Sequence, residues 1–303
     1  VNGVALANQG PAPLLRVDRL HVDYEVGRAI GGWPPGRRRT RVAVRDVSFE
    51  IASGETFGLV GESGSGKSTT GRAILRLVTP AAGAIAFDGR EITTLGKNTP
   101  MWYRRAVQVV FQDPLASLNP RHLVGNIVEQ AVGQRSDAPG RAGRRRRARE
   151  LLDQVGLAGR HAERFPYELS GGQQQRVAIA RALAVDPRLI ICDEAVSALD
   201  VSTQGQIVNL LGDLQRELGL SLLFISHDLA VVRHLSHRVG VLRLGELVES
   251  GPADQVYNEP RHPYTRSLLD SVLVPDPVAQ RERRLARRTR AVPRLDDLEE
   301  EHD

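Results

Sequence analysis

Gly61-Glu62-Ser63-Gly64-Ser65-Gly66-Lys67-Ser68 fills every fixed position of the pattern G-x-x-x-x-G-K-[ST]. Residues 55–60 before it read as a buried strand, and residues 69–77 after it, opening on Thr69, read as a helix, which is the flanking context the pattern needs. The glycines let successive backbone N–H groups turn toward one point. The following helix adds unpaired N–H donors and the positive end of its dipole, so the stretch reads as a cradle for a polyphosphate. Lys67 is placed to reach β- and γ-phosphates, and Ser68 to ligand Mg²⁺. The chain has only two lysines, Lys67 and Lys97, and uses arginine at every other basic position. A compact ammonium fits a tight anion loop where a planar guanidinium does not, so the lysine here carries information. A phosphate loop alone leaves kinases, GTPases, helicases and transporters open.

At 303 residues the chain can bury one large α/β core, or a core with a smaller attached unit. It contains no apolar run of about 18 residues; the stretches 189–192 and 220–225 are strand-sized. The sequence is therefore expected not to cross a membrane by itself and to carry no signal peptide. A lone cysteine, Cys192, excludes an intramolecular disulfide or a four-cysteine cluster and suits a reducing cytoplasm. The net charge of +5 is concentrated in 37–39, 141–149 and 281–294, against an acidic 296–303. Such runs are mostly solvated faces. With no aromatics among them base stacking is unsupported, and no nucleic acid is expected.

Residues 14–26 read as a strand, 27–41 as a Gly-, Pro- and Arg-rich loop insertion, and 42–51 as the next strand. Tyr24, just ahead of the insertion, is either an aromatic for stacking on an adenine ring or an edge-strand tyrosine packed on its neighbours. Short strands follow at 84–88 and 107–111, the latter ending at Gln112. From 113 to 168 the pattern turns helical and polar, with helices at 121–132 and 144–155, and reads as an inserted helical subdomain. Strands at 188–192, 221–225 and 239–244 then alternate with helices at 172–184 and 202–217. Alternation around a phosphate loop predicts a largely parallel sheet with helices on both faces. The ordered part is expected to run from 1 to about 274, with 275–303 as a charged tail.

Three further motifs carry chemistry. An apolar strand ends in Asp193-Glu194; beside a phosphate loop, an Asp there holds Mg²⁺ and the next carboxylate can polarise the attacking water. Leu169-Ser170-Gly171-Gly172-Gln173 precedes a helix and forms a second anion site. One triphosphate rarely needs two such sites, which implies a second subunit. Phe224-Ile225-Ser226-His227-Asp228 places a histidine just after a strand.

Here the chain resembles the ABC transporter ATPases, over about residues 14–273 and in the expected motif order. Leu169 to Gln173 look like the family signature. Gln112 resembles the glutamine that meets Mg²⁺ and the attacking water. Asp193 and Glu194 resemble the metal-holding aspartate and catalytic glutamate, Ser197 to Asp200 the D-loop, and His227 the histidine that contacts the γ-phosphate. Tyr24 resembles the adenine-stacking aromatic. Phe111 to Pro114, Ser117 to Arg121, Glu194 to Ser202 and His262-Pro263-Tyr264-Thr265 look like the oligopeptide, dipeptide and nickel importer ATPases. The resemblance implies an α/β P-loop NTPase of ABC type, with an antiparallel β subdomain and an inserted helical subdomain. It implies ATP and Mg²⁺ as cofactors, and a head-to-tail dimer with a second ATPase subunit, identical or different, each ATP lying between one phosphate loop and the other subunit's signature. It implies two transmembrane permease subunits, a solute-binding protein outside, and a place on the cytoplasmic face of a bacterial membrane. Peptide is the expected cargo, with nickel, glutathione or another small solute behind it. A soluble ABC ATPase acting on ribosomes or DNA, and a metabolic kinase, are the competing readings.

Overall fold

The structure is a computed structural model that describes residues 12–28, 38–96 and 98–271. The chain opens with a long hairpin, β1 (Leu15–Arg28) and β2 (Arg38–Ile51), and then runs into the interior as β3 (Thr56–Val60), every residue of which is buried. Helix α1 (Lys67–Ile74) follows, then β4 (Ala82–Phe87), β5 (Arg90–Glu91), a short α2 (Met101–Ala106) and β6 (Val107–Phe111). The helices α3 (Pro114–Ser117), α4 (Val124–Val132), α5 (Arg141–Gln154) and α6 (Gly171–Leu183) lie between β6 and β7 (Leu189–Asp193). After β7 come α7 (Val201–Leu218), β8 (Ser221–Ser226), α8 (Leu229–Leu235), β9 (Arg238–Arg243), β10 (Glu246–Pro252), α9 (Ala253–Asn258) and α10 (Pro263–Ser271).

The main sheet has the order β10-β9-β3-β8-β7-β6. The four pairings among β9, β3, β8, β7 and β6 are parallel, and β10 adds an antiparallel edge. Parallel strands must be covered on both faces, which is why β7 and β8 are continuous apolar runs. Side chains two apart share a face. Ile190, Cys192, Leu222 and Phe224 therefore feed one core together with α4 to α8, while Leu189, Ile191, Leu223 and Ile225 feed the other with α1 and the hairpin. Each fully buried Leu or Ile contributes about 1.5–3 kcal/mol.

The second face is covered by α1 and a four-stranded antiparallel sheet, β2-β1-β4-β5, rather than by helices alone. Phe49 and Phe57 stack at 4.8 Å between ring centroids and join the two sheets. The loop predicted over 27–41 is shorter than the sequence suggests. The ladder continues through Tyr24↔Arg41 and Glu25↔Thr40 to Arg28↔Arg38, because backbone pairing at a sheet edge tolerates charged side chains that break the apolar pattern. Residues 29–37 of that insertion, Lys97, and the expected tail 275–303 lie outside the described residues.

Helices α3, α4 and α5 lie within the stretch 113–168, and α6 is the separate helix read at 172–184. Among the described residues no helix is long and apolar enough to cross a membrane.

Candidate functional site

The loop from Gly61 to Gly66 joins the all-buried β3 to α1. Gly61, Gly64 and Gly66 have φ of 151°, 83° and 103°, a region open to glycine at little cost. At Gly66 a Cβ would also meet the Ala43 carbonyl oxygen at 2.5 Å, so neither the turn nor the space admits another residue. Helix α1 starts with no side-chain cap and no acidic residue in its first turn, so no side chain takes up its first N–H groups. The Ser65 hydroxyl is likewise buried without a protein partner. Lys67 is 4% exposed, and its Nζ donates to the carbonyls of Gly61 and Glu62, both at 2.7 Å. Burial lowers the ammonium pKa, while Glu194, Asp193 and Glu62 pull it back up. A buried cation whose hydrogen bonds go to carbonyl oxygens, beside the uncapped start of a helix, suits a multiply charged anion such as a nucleotide polyphosphate.

The next turn of α1 faces the carboxyl ends of the strands. Ser68 Oγ donates to Asp193 Oδ1 at 2.7 Å. Burial pushes the Asp193 carboxyl pKa up, against the Ser68 bond and the Arg72 charge. Because β6 lies beside β7 with Phe111 opposite Asp193, the next residues of both strands, Gln112 and Glu194, emerge at the same end. Glu194 has φ 50°, a left-handed conformation that costs a non-glycine residue about 1–2 kcal/mol. Its N–H is tied to the Ile225 carbonyl at 2.9 Å, and its carboxylate lies 3.6 Å from His227 Nδ1. His227 is positioned from its C-terminal side by Asp228, whose carboxylate caps α8 by accepting from Ala230 N at 2.9 Å and Val231 N at 3.3 Å. Ser68, Gln112, Asp193 and Glu194 line one cleft of about 460 Å³. No cluster of three His, Cys, Asp or Glu exists among the described residues. A divalent cation at Ser68 and Asp193 would thus complete its shell with phosphate and water oxygens, as Mg²⁺ does.

Ser170, Gly171, Gly172 and Gln173 do not line that cleft; they form the start of α6. Ser170 Oγ accepts from Gln173 N at 3.4 Å and Gln173 Oε1 accepts from Ser170 N at 3.1 Å, a reciprocal cap that starts α6 one residue before the predicted 172. Asp200 sits in this second group. Its carboxylate accepts from Ser202 Oγ at 2.6 Å, Thr203 Oγ1 at 2.7 Å and Thr203 N at 2.9 Å, and these bonds pull its pKa down to about 2. Gly172 packs against Thr203, which brings the starts of α6 and α7 together. Tyr24 is half-buried on β1 with its hydroxyl 3.4 Å from Thr69 Oγ1, at the exit of the phosphate loop. Sequence reading did not single out Arg72, Asp113 or Ser117 as cleft residues. It noted Tyr264 only within a motif, whereas the phenol lies against the loop: Glu62 N donates to Tyr264 Oη at 3.3 Å across 202 residues of sequence. No local pattern carries that contact.

The sequence matches the family described as ABC transporter over residues 44–197, and the family described as oligopeptide/dipeptide transporter, C-terminal region, over 248–300. It is 56% identical over 245 residues to the glutathione import ATP-binding protein GsiA of Salmonella typhimurium, and 54% identical over 243 residues to that of Escherichia coli K12. These alignments take in 80% of this chain and 39% of each relative, so the chain spans about two fifths of their length. Among solved structures, the ATP-binding cassette MJ0796, as a dimer in a post-hydrolysis state bound to ADP and Pi, is similar with a TM-score of 0.69 and 32% identity, covering 79% of this chain and 98% of that one. Clostridium perfringens cbiO1, part of the transporter complex cbiONQ, has a TM-score of 0.69 and 27% identity, covering 82% and 91%.

Proposed function

This chain belongs to the ABC transporter family, and from that premise we propose that it is the ATP-hydrolysing subunit of an importer for short peptides, a class that includes glutathione. The observation that carries the reading is the division of the phosphate-binding apparatus. Ser68, Gln112, Asp193 and Glu194 line one cleft, with Ser68 following directly on the Lys67 loop, while Ser170 to Gln173 and Asp200 are not among the residues that line it. A second subunit docked head to tail brings its own Ser170 helix start to this cleft, and the γ-phosphate then meets two helix N-termini.

In this reading Lys67 leaves the carbonyls of Gly61 and Glu62 for the β- and γ-phosphates, and Tyr24 stacks on the adenine. Ser68, Asp193 and Gln112 would hold Mg²⁺, which would supply charge neutralisation for the transferred phosphoryl group. Glu194 and His227 orient the attacking water. Burial of the pocket on closure strengthens each of these contacts, since the local dielectric falls. Gln112 immediately precedes the helical stretch of α3 to α5, so the state of the cleft would be passed to the surface that would receive a permease subunit. The similarity to glutathione import ATP-binding proteins and the match of 248–300 to an oligopeptide/dipeptide transporter C-terminal region support the cargo class.

The test is reconstitution with the two permease subunits and the external binding protein. ATP turnover should rise when the binding protein carries a short peptide or glutathione. Turnover indifferent to the permease subunits, or stimulated by ribosomes or DNA instead, would refute the importer reading.

A further inference from the structure

The geometry points to Tyr264 as a positioning residue that sets the orientation of the phosphate loop from the opposite end of the chain. The peptide unit joining Gly61 and Glu62 is held at both of its poles. Its carbonyl oxygen accepts from Lys67 Nζ at 2.7 Å, and its N–H donates to Tyr264 Oη at 3.3 Å. Rotation of this plane would break both bonds at once. Tyr264 therefore fixes the carbonyl on which Lys67 rests, and with it the distance the ammonium must travel to a phosphate.

The phenol is itself held from several directions, as such a role requires. Tyr264 is buried, and the Arg243 guanidinium lies 5.3 Å from its ring centroid. Its backbone N–H donates to His262 Nδ1 at 3.2 Å. Glu249 of β10 accepts from Arg261 N at 2.8 Å and His262 N at 3.0 Å, which pins the turn that delivers Tyr264. β10 pairs with β9, the strand beside β3, so the turn and the phosphate loop are referred to the same sheet. Burial raises the pKa of the phenol, so it stays protonated at neutral pH while it accepts from Glu62 N.

This inference rests on the nucleotide reading above for its functional consequence, but its structural half is independent of it. Tyr264→Phe keeps the ring and the Arg243 contact and deletes only the hydroxyl. Losing one hydrogen bond of ordinary strength should weaken ATP and ADP binding about 3- to 10-fold in equilibrium titrations of the full chain, with kcat of the reconstituted complex changed less than KM. Amide exchange should rise at Glu62 and not in β7 or β8, which separates loop release from general loosening. Unaltered exchange at Glu62, or unaltered nucleotide affinity beside a freed Glu62 amide, overturns the role. If the parent chain bound no ATP, the function proposed above would fail, while exchange at Glu62 would still test whether the phenol holds the loop.

Discussion

The contact between Gly172 and Thr203 allows a prediction with an internal control. A Cβ at 172 would stand closer than 3.0 Å to Thr203 Cγ2, where ordinary contact begins at 3.4 Å. Thr203 cannot turn away freely, because its Oγ1 donates to Asp200 Oδ2 at 2.7 Å and its N–H to Asp200 Oδ1 at 2.9 Å. Gly172→Ala must therefore push α6 from α7, and overpacking of this kind costs about 1–3 kcal/mol. For the size of this chain that corresponds to a fall of about 2–10 °C in Tm. Thr203→Ser removes the offending methyl and keeps the hydroxyl bonded to Asp200; alone it should cost less than about 1 kcal/mol, since the methyl is only half-buried. The double variant should recover most of the stability lost by Gly172→Ala, giving a favourable coupling of about 1–2 kcal/mol in a denaturant double-mutant cycle. ATP turnover of the assembled complex should follow the same order, because the two residues carry the start of α6. Simple additivity, with the double variant weaker than either single one, would show that this contact is not what constrains Gly172.

Three other outcomes follow from the site. Glu194→Gln should abolish ATP hydrolysis by the assembled complex while ATP-driven dimer closure, read by crosslinking or light scattering, persists; normal turnover would remove Glu194 from its role. Asp193→Asn should stabilise the free protein at neutral pH. Its carboxyl holds the proton more tightly folded than unfolded, so the native state favours it neutral, and the advantage of Asn should shrink as pH falls below the carboxylate range. Urea midpoints at neutral and acid pH check this, and an advantage that grew on acidification would contradict it. Cys192 is fully buried, and burial pushes its thiol up to about 12, so a thiol reagent at mildly alkaline pH should leave the native chain unlabelled and label it in urea. Rapid native labelling would place Cys192 outside the core.

Strands β3, β7 and β8 were legible because burial on both faces makes their interiors continuous apolar runs, with polar residues only at their ends. β10 was missed. Glu246–Pro252 is nowhere fully buried and reads Glu-Leu-Val-Glu-Ser-Gly-Pro, with no clean alternation, and it exists because β9 offers it an edge. The same limit applies to the site. Lys67, Ser68, Asp193 and Glu194 announce themselves through local patterns of residue type. The Tyr264 hydroxyl at Glu62 N is a contact between distant segments and leaves no trace in either one. The left-handed backbone of Glu194 is a further property that appears only once the Ile225 carbonyl is in place to hold it.

Neighbouring parallel strands β6 and β7 are joined by everything from Gln112 to Arg188. A connection that leaves and returns to adjacent positions of one sheet can change length or sequence without altering any strand's register. The part proposed to receive a permease subunit can therefore be exchanged while the Gln112 and Glu194 mountings keep their spacing, and if that proposal holds, transplanting 113–168 from a relative should redirect the partner with the cleft untouched.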